Sequence, residues 1–344
     1  MPSWRDNPYL DLFYGHLNGA EMAEEEIPLW PPTRRDAALA VVDAVHFHWP
    51  ETYWRGGGRR ARGKPLLGFR RFLAAIRNAG KPIIWTVHNL LPHERPTWRD
   101  RLARRLLLRA SDMIICHDEG TASKVRRIAP RRAEIVVMPH GNYDGSLPAP
   151  RDIEETRSRY LNGRRKKLAV MLGLMRDYKG FDIALAAMEK VPDVHLVIAG
   201  GAHRSFEADA LTHKASGRSN VSVQLGYLPD QELANLYGAA DLALFPYLRI
   251  TGSGALLTSL TLGCPAVASD LDYFQSILGG SPQAGRLFPV GDANALATGI
   301  RGILDTNRSE TRAAALSLSA EYGWDRSAAI VEPPLLRLLE GGRR

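Results

Sequence analysis

Short apolar runs alternate along the chain with segments whose apolar residues recur every three or four positions. The apolar runs at residues 38–48, 82–87, 113–117 and 135–139 in the first half predict strands, as do those at 167–173, 195–200, 221–225, 241–246 and 265–269 in the second. Their continuous apolar character, without strict alternation, fits strands covered on both faces, and the helical periodicity between them fits crossover connections. The pattern is that of an α/β protein with parallel sheets, in two successive doubly wound units. Residues 141–150 are rich in Gly and Pro and predict a hinge. This divides the chain into residues 1–150, residues 151–323 and a C-terminal helical segment, 324–344, that is expected to return to the first domain. Pro333 and Pro334 are expected to bend or break that segment, since each removes an amide donor. At the other end, Trp4 to Tyr9 reads as a loop leading into a helix over residues 10–17, with no apolar strand before it. The first strand is missing or very short on this reading.

A chain of 344 residues is long enough for two self-sufficient cores. Two cysteines, Cys116 and Cys264, lie in separate apolar runs and supply neither a disulfide framework nor a zinc cluster, which points to a reducing compartment. No run reaches the roughly 18 to 20 apolar residues of a spanning helix, and residues 1–7 lack a signal-peptide pattern. Charge is more informative. The net charge is +8, but residues 55–109 hold fifteen Lys and Arg against Glu94 and Asp100, so this region alone carries +13 and the remainder −5. A block of this kind suits nucleic acid, an anionic membrane or acidic substrates, or simply makes a solvated face. Within it, residues 98–110 predict a helix with Trp98, Arg101, Arg105 and Arg109 on one broad face and Leu108 among them. Exposed Trp and Leu among cations suit an anionic lipid surface, and a partner protein would account for them equally well. No nucleic-acid motif accompanies the charge, so a nucleic-acid partner is not expected.

Two stretches carry candidate phosphate chemistry. Gly173-Leu174-Met175-Arg176-Asp177-Tyr178-Lys179-Gly180-Phe181 leaves a strand of the second unit, where the ligand crevice of an open α/β sheet lies, and aims Arg176 and Lys179 at an anion there. Thr251-Gly252-Ser253-Gly254 opens an apolar helix whose amides and partial positive charge suit a phosphate. The ordinary readings are surface cations for the first and a Ser253 N-cap for the second. There is no Gly-Lys-Ser/Thr and no opening G-x-G-x-x-G, so ATPase and dinucleotide chemistry lose support, and no Gly-x-Ser-x-Gly supports a hydrolase elbow. Asp270-Leu271-Asp272 reads as cap and dipole partners, and no metal-ligand spacing is present, so no metal is expected. In the first unit, residues 46–51 and 86–94 bring His and Glu to strand ends, where a general base belongs, although such histidines are more often structural hydrogen-bonders.

The order of motifs then resembles a family. Gly-Leu-Met-Arg-Asp-Tyr-Lys-Gly-Phe (173–181), His-Leu-Val-Ile-Ala-Gly-Gly (195–201), Leu-Gly-Tyr-Leu-Pro-Asp-Gln-Glu-Leu (225–233), Ala-Ala-Asp-Leu-Ala-Leu-Phe-Pro-Tyr (239–247) and Gly-Cys-Pro-Ala-Val-Ala-Ser-Asp (263–270) are similar to successive signatures of bacterial GT-B glycosyltransferases of group 1. His-Trp-Pro-Glu (48–51), His-Asn-Leu-Leu-Pro-His-Glu (88–94) and Pro-His-Gly-Asn-Tyr (139–143) resemble a branch associated with exopolysaccharide assembly. The resemblance covers nearly the whole chain. It implies the GT-B fold, two Rossmann-like domains facing each other across a cleft, with a nucleotide-sugar donor in the C-terminal domain. Arg176, Lys179, Ser253 and Gly254 would then bind its diphosphate, and Gly201, Tyr227 and Thr258 its nucleoside. Trp49, Asn89 and His140 would contact acceptor or sugar. No bound metal or cofactor is implied, because protein cations and a helix dipole offset the leaving charge.

One departure bears on stereochemistry. Retaining members commonly carry E-x7-E around the phosphate helix, and here Ile250 and Thr258 occupy those positions. Inversion by direct displacement follows as the expectation, with Glu51 as first candidate base and His88 as second. The resulting expectation is transfer of one sugar to a lipid-diphosphate-linked glycan at the cytoplasmic face of the membrane. UDP-glucuronic acid leads as donor and GDP-mannose is the alternative. A nucleotide-sugar epimerase and a non-catalytic binder of anionic glycans or lipids are the competing classes.

Overall fold

The computed structural model describes residues 8–22, 27–28, 31–55, 64–90, 96–130, 132–161 and 166–342. Trp4 to Asn7, the glycine run Gly56 to Gly58, His93 and Glu94 lie outside them. The described chain forms two units, one of residues 1–140 with 324–344, the other of residues 141–323. The division falls at the start of the Gly/Pro-rich stretch.

The first unit is built on a four-stranded parallel sheet in sequential order, β1 (Val45–Phe47), β2 (Ile83–Val87), β3 (Met113–Cys116) and β4 (Glu134–Val137). Successive side chains point to opposite faces, and both faces are buried. Ile83, Trp85 and Val87 of β2 and Ile114 and Cys116 of β3 share one core with Phe69, Phe72, Ile76, Ala103 and Leu107 from the helices Lys64–Asn78 and Trp98–Ala110. Ile84, Met113 and Ile115 point the other way, against Tyr9 and Phe13 of the helix Tyr9–Gly15 and Trp324, Ala328, Val331 and Leu335 of the last helix, Trp324–Gly342. That C-terminal helix therefore supplies half the cover of the second face. It runs unbroken through Pro333 and Pro334, so the expected break does not occur. The carbonyls that lose their amide partners belong to Ala329 and Ile330, which are exposed, so water can take the place of the missing donors.

Two further differences concern the ends of strands. Residues 38–41 close the helix Pro32–Val41, so β1 is only three residues long. Among the described residues no strand precedes it.

The second unit is a six-stranded parallel sheet in the order β10-β9-β8-β5-β6-β7, comprising β5 (Lys167–Leu172), β6 (Val194–Gly200), β7 (Val221–Leu225), β8 (Leu242–Phe245), β9 (Ala266–Ser269) and β10 (Gly285–Phe288). β5 to β7 build in one direction and β8 to β10 in the other, so the strand order reverses between β5 and β8. β10 has no counterpart among the predicted strands. It is a four-residue edge strand, Gly-Arg-Leu-Phe, with one charged side chain exposed, and its apolar run is too short to stand out.

Candidate functional site

In the second unit the reversal of strand order opens a crevice beyond the carboxyl ends of β5 and β8, where ligands bind in sheets of this kind. The loops leaving these strands are tied together. Leu248 N donates to Tyr178 O at 2.8 Å, and the rings of Tyr178 and Tyr247 meet edge-on at 5.5 Å. Gly180 adopts φ of +70°, and a Cβ there would lie 1.9 Å from Pro246 O, so only glycine permits this approach. The turn Asp177–Lys179 buries Lys179, whose Nζ donates to Leu172 O at 3.3 Å and lies 5.7 Å from the Tyr247 ring centroid. Burial, helped by the nearby Arg176 guanidinium, pushes the Lys179 ammonium down to about 8. Arg176 remains partly exposed. A cation held this way gains by meeting an anion, because the anion replaces the water that burial removed.

Across the same reversal point, the loop after β8 leads into the helix Gly254–Thr261. Ser253 is its N-cap and accepts from Leu256 N at 3.3 Å, so its hydroxyl already serves the helix. A Cβ at Gly254 would come within 2.5 Å of Tyr143 Oη, so a larger residue would displace that side chain. Thr258 lies one turn further on, partly buried. Gly201 follows β6 and accepts Met175 N at 2.7 Å, and Tyr227 follows β7 with 78% of its surface exposed. All seven residues expected to hold the donor thus belong to the carboxyl side of one sheet or to the helix that starts there.

The first unit concentrates histidines at the same end of its sheet. His46 and His48 lie in and just after β1, His88 after β2, His117 after β3 and His140 beyond β4. Tyr9 stands in their midst, with ring centroids of His88 at 4.7 Å, His140 at 5.0 Å, His48 and His117 at 5.7 Å and Trp49 at 5.9 Å. Trp49 stacks on His88 at 4.3 Å and 13°. Burial keeps four of these rings neutral, pushing His46 down to about 3 and His117 to about 4, with His48 and His88 well below the usual histidine range. Among the described residues no group of three or more His, Cys, Asp or Glu is arranged to hold a metal ion.

Glu51 has a different setting. Its carboxylate is paired with the guanidinium of Arg104, which is buried and also donates to Asn89 O. The loops after β1 and β2 are thereby clamped to the helix Trp98–Ala110. Trp49, His88 and His140 come together around Tyr9, whereas Glu51 and Asn89 belong to the Arg104 clamp. Tyr9, Tyr14, His117 and Arg104 were not singled out by the sequence, whereas His46 lay in the 46–51 stretch that was. A histidine at or just past the end of every apolar run of the first half was the available signal.

The expectation for the helix Trp98–Ala110 needs a correction. Leu108 is 4% exposed and packs in the core, so it does not face outward with the arginines. Asp100, Arg104 and Leu108 form a buried stripe at four-residue spacing beside Ala103 and Leu107. The polar members of that stripe misled the helical pattern, because Asp100 is buried by bonds from Trp54, Arg55 and Thr97, and Arg104 by Glu51. The outward face carries Trp98, Arg101, Leu102, Arg105 and Arg109.

Residues 152–316 match the model of the family described as glycosyl transferases group 1. A GDP-mannose:glycolipid 4-beta-D-mannosyltransferase of Xanthomonas campestris pv. campestris is 28% identical over 271 residues, covering 78% of this chain and 71% of that protein. A phosphatidyl-myo-inositol mannosyltransferase of Mycolicibacterium smegmatis is 31% identical over 171 residues, 47% of this chain and 42% of its own. Among solved structures, Anabaena Alr3699/HepE in complex with UDP superposes with a TM-score of 0.65 at 16% identity, covering 79% of this chain and 77% of that one. Two parallel-sheet α/β units, the family match over the second and these relatives agree. The chain is a glycosyltransferase with the GT-B fold, and its second unit is similar to the group 1 glycosyl transferases.

Proposed function

We propose that this enzyme transfers mannose from GDP-mannose to a glycolipid at the inner face of the cell membrane, by direct displacement with inversion and without a bound metal. The observation that carries the reading is the pairing of Arg176 and buried Lys179 with the start of the helix Gly254–Thr261 at one strand reversal, which suits a nucleoside diphosphate as leaving group. The Xanthomonas relative is named for GDP-mannose and a glycolipid, which favours that donor over the UDP-glucuronic acid expected from the motifs alone. A beta linkage, as in that relative's name, is what single displacement gives from an α-linked nucleotide sugar. Thr258 and Ile250 in place of the paired glutamates support the same stereochemistry.

Direct displacement needs a base for the acceptor hydroxyl. His88 is the better candidate, because it is neutral and sits at a strand end among aromatic rings, while the Glu51 carboxylate is engaged by Arg104. Trp49 and His140, packed on the same cluster, are in place to line an acceptor or sugar. A lipid-diphosphate acceptor fits the outward face of the helix Trp98–Ala110, where Trp98 and Leu102 stand among Arg101, Arg105 and Arg109. No helix among the described residues is long and apolar enough to cross a membrane.

The test is nucleoside diphosphate release from GDP-mannose and from UDP-glucuronic acid, with a bacterial membrane lipid extract as acceptor and with or without EDTA. Acceptor-dependent, EDTA-resistant release from GDP-mannose is the expected result. Release from UDP-glucuronic acid alone would overturn the donor assignment.

A further inference from the structure

The side chains at the carboxyl edge of the first sheet form one continuous chain of contacts. Thr86 Oγ1 lies 2.8 Å from His46 Nε2, and His46 Nδ1 lies 2.7 Å from Tyr14 Oη. Tyr14 Oη is in turn 3.5 Å from His48 Nε2, and His48 Nδ1 is 3.2 Å from His88 Nε2. A neutral imidazole has one N–H and one lone pair, so fixing the direction of one link fixes every other. Tyr14 has a single hydroxyl proton and is far closer to His46 than to His48. It donates along the short link and receives the His48 Nε2–H along the long one. His46 then donates its Nε2–H to Thr86. His48 presents Nδ1 as an acceptor, and His88 donates its Nε2–H to it, which makes Nδ1 the acceptor nitrogen of His88.

We propose that Tyr14 is a positioning residue for the transfer step, its hydroxyl acting through His48 to hold His88 in the tautomer whose Nδ1 takes the proton of the acceptor hydroxyl. The inference rests on His88 being the base, as read above. In that step the acceptor O–H bond breaks and its proton passes to His88 Nδ1. The freed oxygen pair bonds the anomeric carbon while the bond from that carbon to the diphosphate breaks, its electron pair leaving with the nucleoside diphosphate. The surroundings suit a chain of neutral rings. Tyr9, Phe13, Trp49, His117 and His140 pack around it, and burial keeps His46 and His117 uncharged across the physiological range. Tyr14 itself is held protonated, since burial pushes its phenol well above the usual range.

Three variants and one spectrum test this. Tyr14→Phe removes only the hydroxyl and should lower kcat about tenfold or more, with donor and acceptor KM and the thermal midpoint close to wild type. Thr86→Val at the far end should act in the same direction. The double variant should be no slower than the slower single one, because both break one chain. Imidazole ¹⁵N shifts should report the Nε2–H form of His88 in the wild type and a mixture in Tyr14→Phe. An Nδ1–H form in the wild type, or full kcat in Tyr14→Phe when His88→Gln is inactive, would overturn the proposal. Full kcat in His88→Gln would instead remove the base assignment on which it stands.

Discussion

Lys179 owes its usefulness to a setting that is unfavourable for its charge. Its ammonium is buried, accepted by one carbonyl and close to Arg176, so it loses its proton near pH 8 in the free enzyme. A diphosphate bound there, as proposed, would stabilise the charged form and raise its pKa, so that a proton is taken up. Donor affinity is therefore expected to be complete below pH 8 and to fall as pH rises through it. Lys179→Met should weaken donor binding about ten- to a hundredfold, the equivalent of losing one charged hydrogen bond, and should flatten that pH dependence in calorimetric titrations. Glu51 and Arg104 pose the opposite case. Arg104 is 3% exposed and Glu51 24%, so Glu51→Gln leaves a buried guanidinium without its counter-charge. The expected cost is about 2 kcal/mol in urea unfolding, below the full value for a buried pair because water still reaches the carboxylate end. Turnover of the folded variant should survive, as Glu51 is a clamp on this reading. Lys179 was legible because a cation after a strand end stands out in the sequence. The His46, Tyr14, His48 and His88 chain was not, because its members come from separate segments and only the sheet brings their rings together.

At the scale of elements, the helix Trp98–Ala110 shows how buried charge hides a core face. Periodicity assigns Leu108 to the arginine side because Asp100 and Arg104 look like surface residues, yet the capping box at Thr97 and the Glu51 pair bury both. Leu108→Ala should therefore cost about 2 to 5 kcal/mol, and Trp98→Ala, with 63% of the tryptophan exposed, less than about 0.5 kcal/mol, as read by denaturant midpoints. Trp98 belongs instead to the proposed membrane face. Arg101→Glu with Arg105→Glu should reduce flotation with anionic vesicles while leaving the fold intact, and equal flotation with neutral and anionic vesicles would remove the membrane from the reading. The C-terminal helix is a second case. Pro333 and Pro334 read as a break, but packing of Val331 and Leu335 against the sheet holds the helix together through the two missing hydrogen bonds. Local propensity yields here to burial.

For the whole molecule, a single displacement without metal makes one joint prediction. The product glycoside from GDP-mannose should be the β-anomer by NMR, and its formation rate should be unchanged by EDTA. The sequence by itself determined two parallel-sheet units, the alternation of strand and helix, and the motif order of a group 1 glycosyltransferase. These rest on periodicity and on short contiguous segments, which a linear chain records directly. The tertiary structure alone decided the meeting of the β5 and β8 loops at a strand reversal, the burial of Leu108 and Arg104, and the gathering of four histidines around Tyr9. Each of these depends on residues far apart in sequence sharing one sheet edge or one core. Strand order and side-chain burial set them, and neither is written in any single segment.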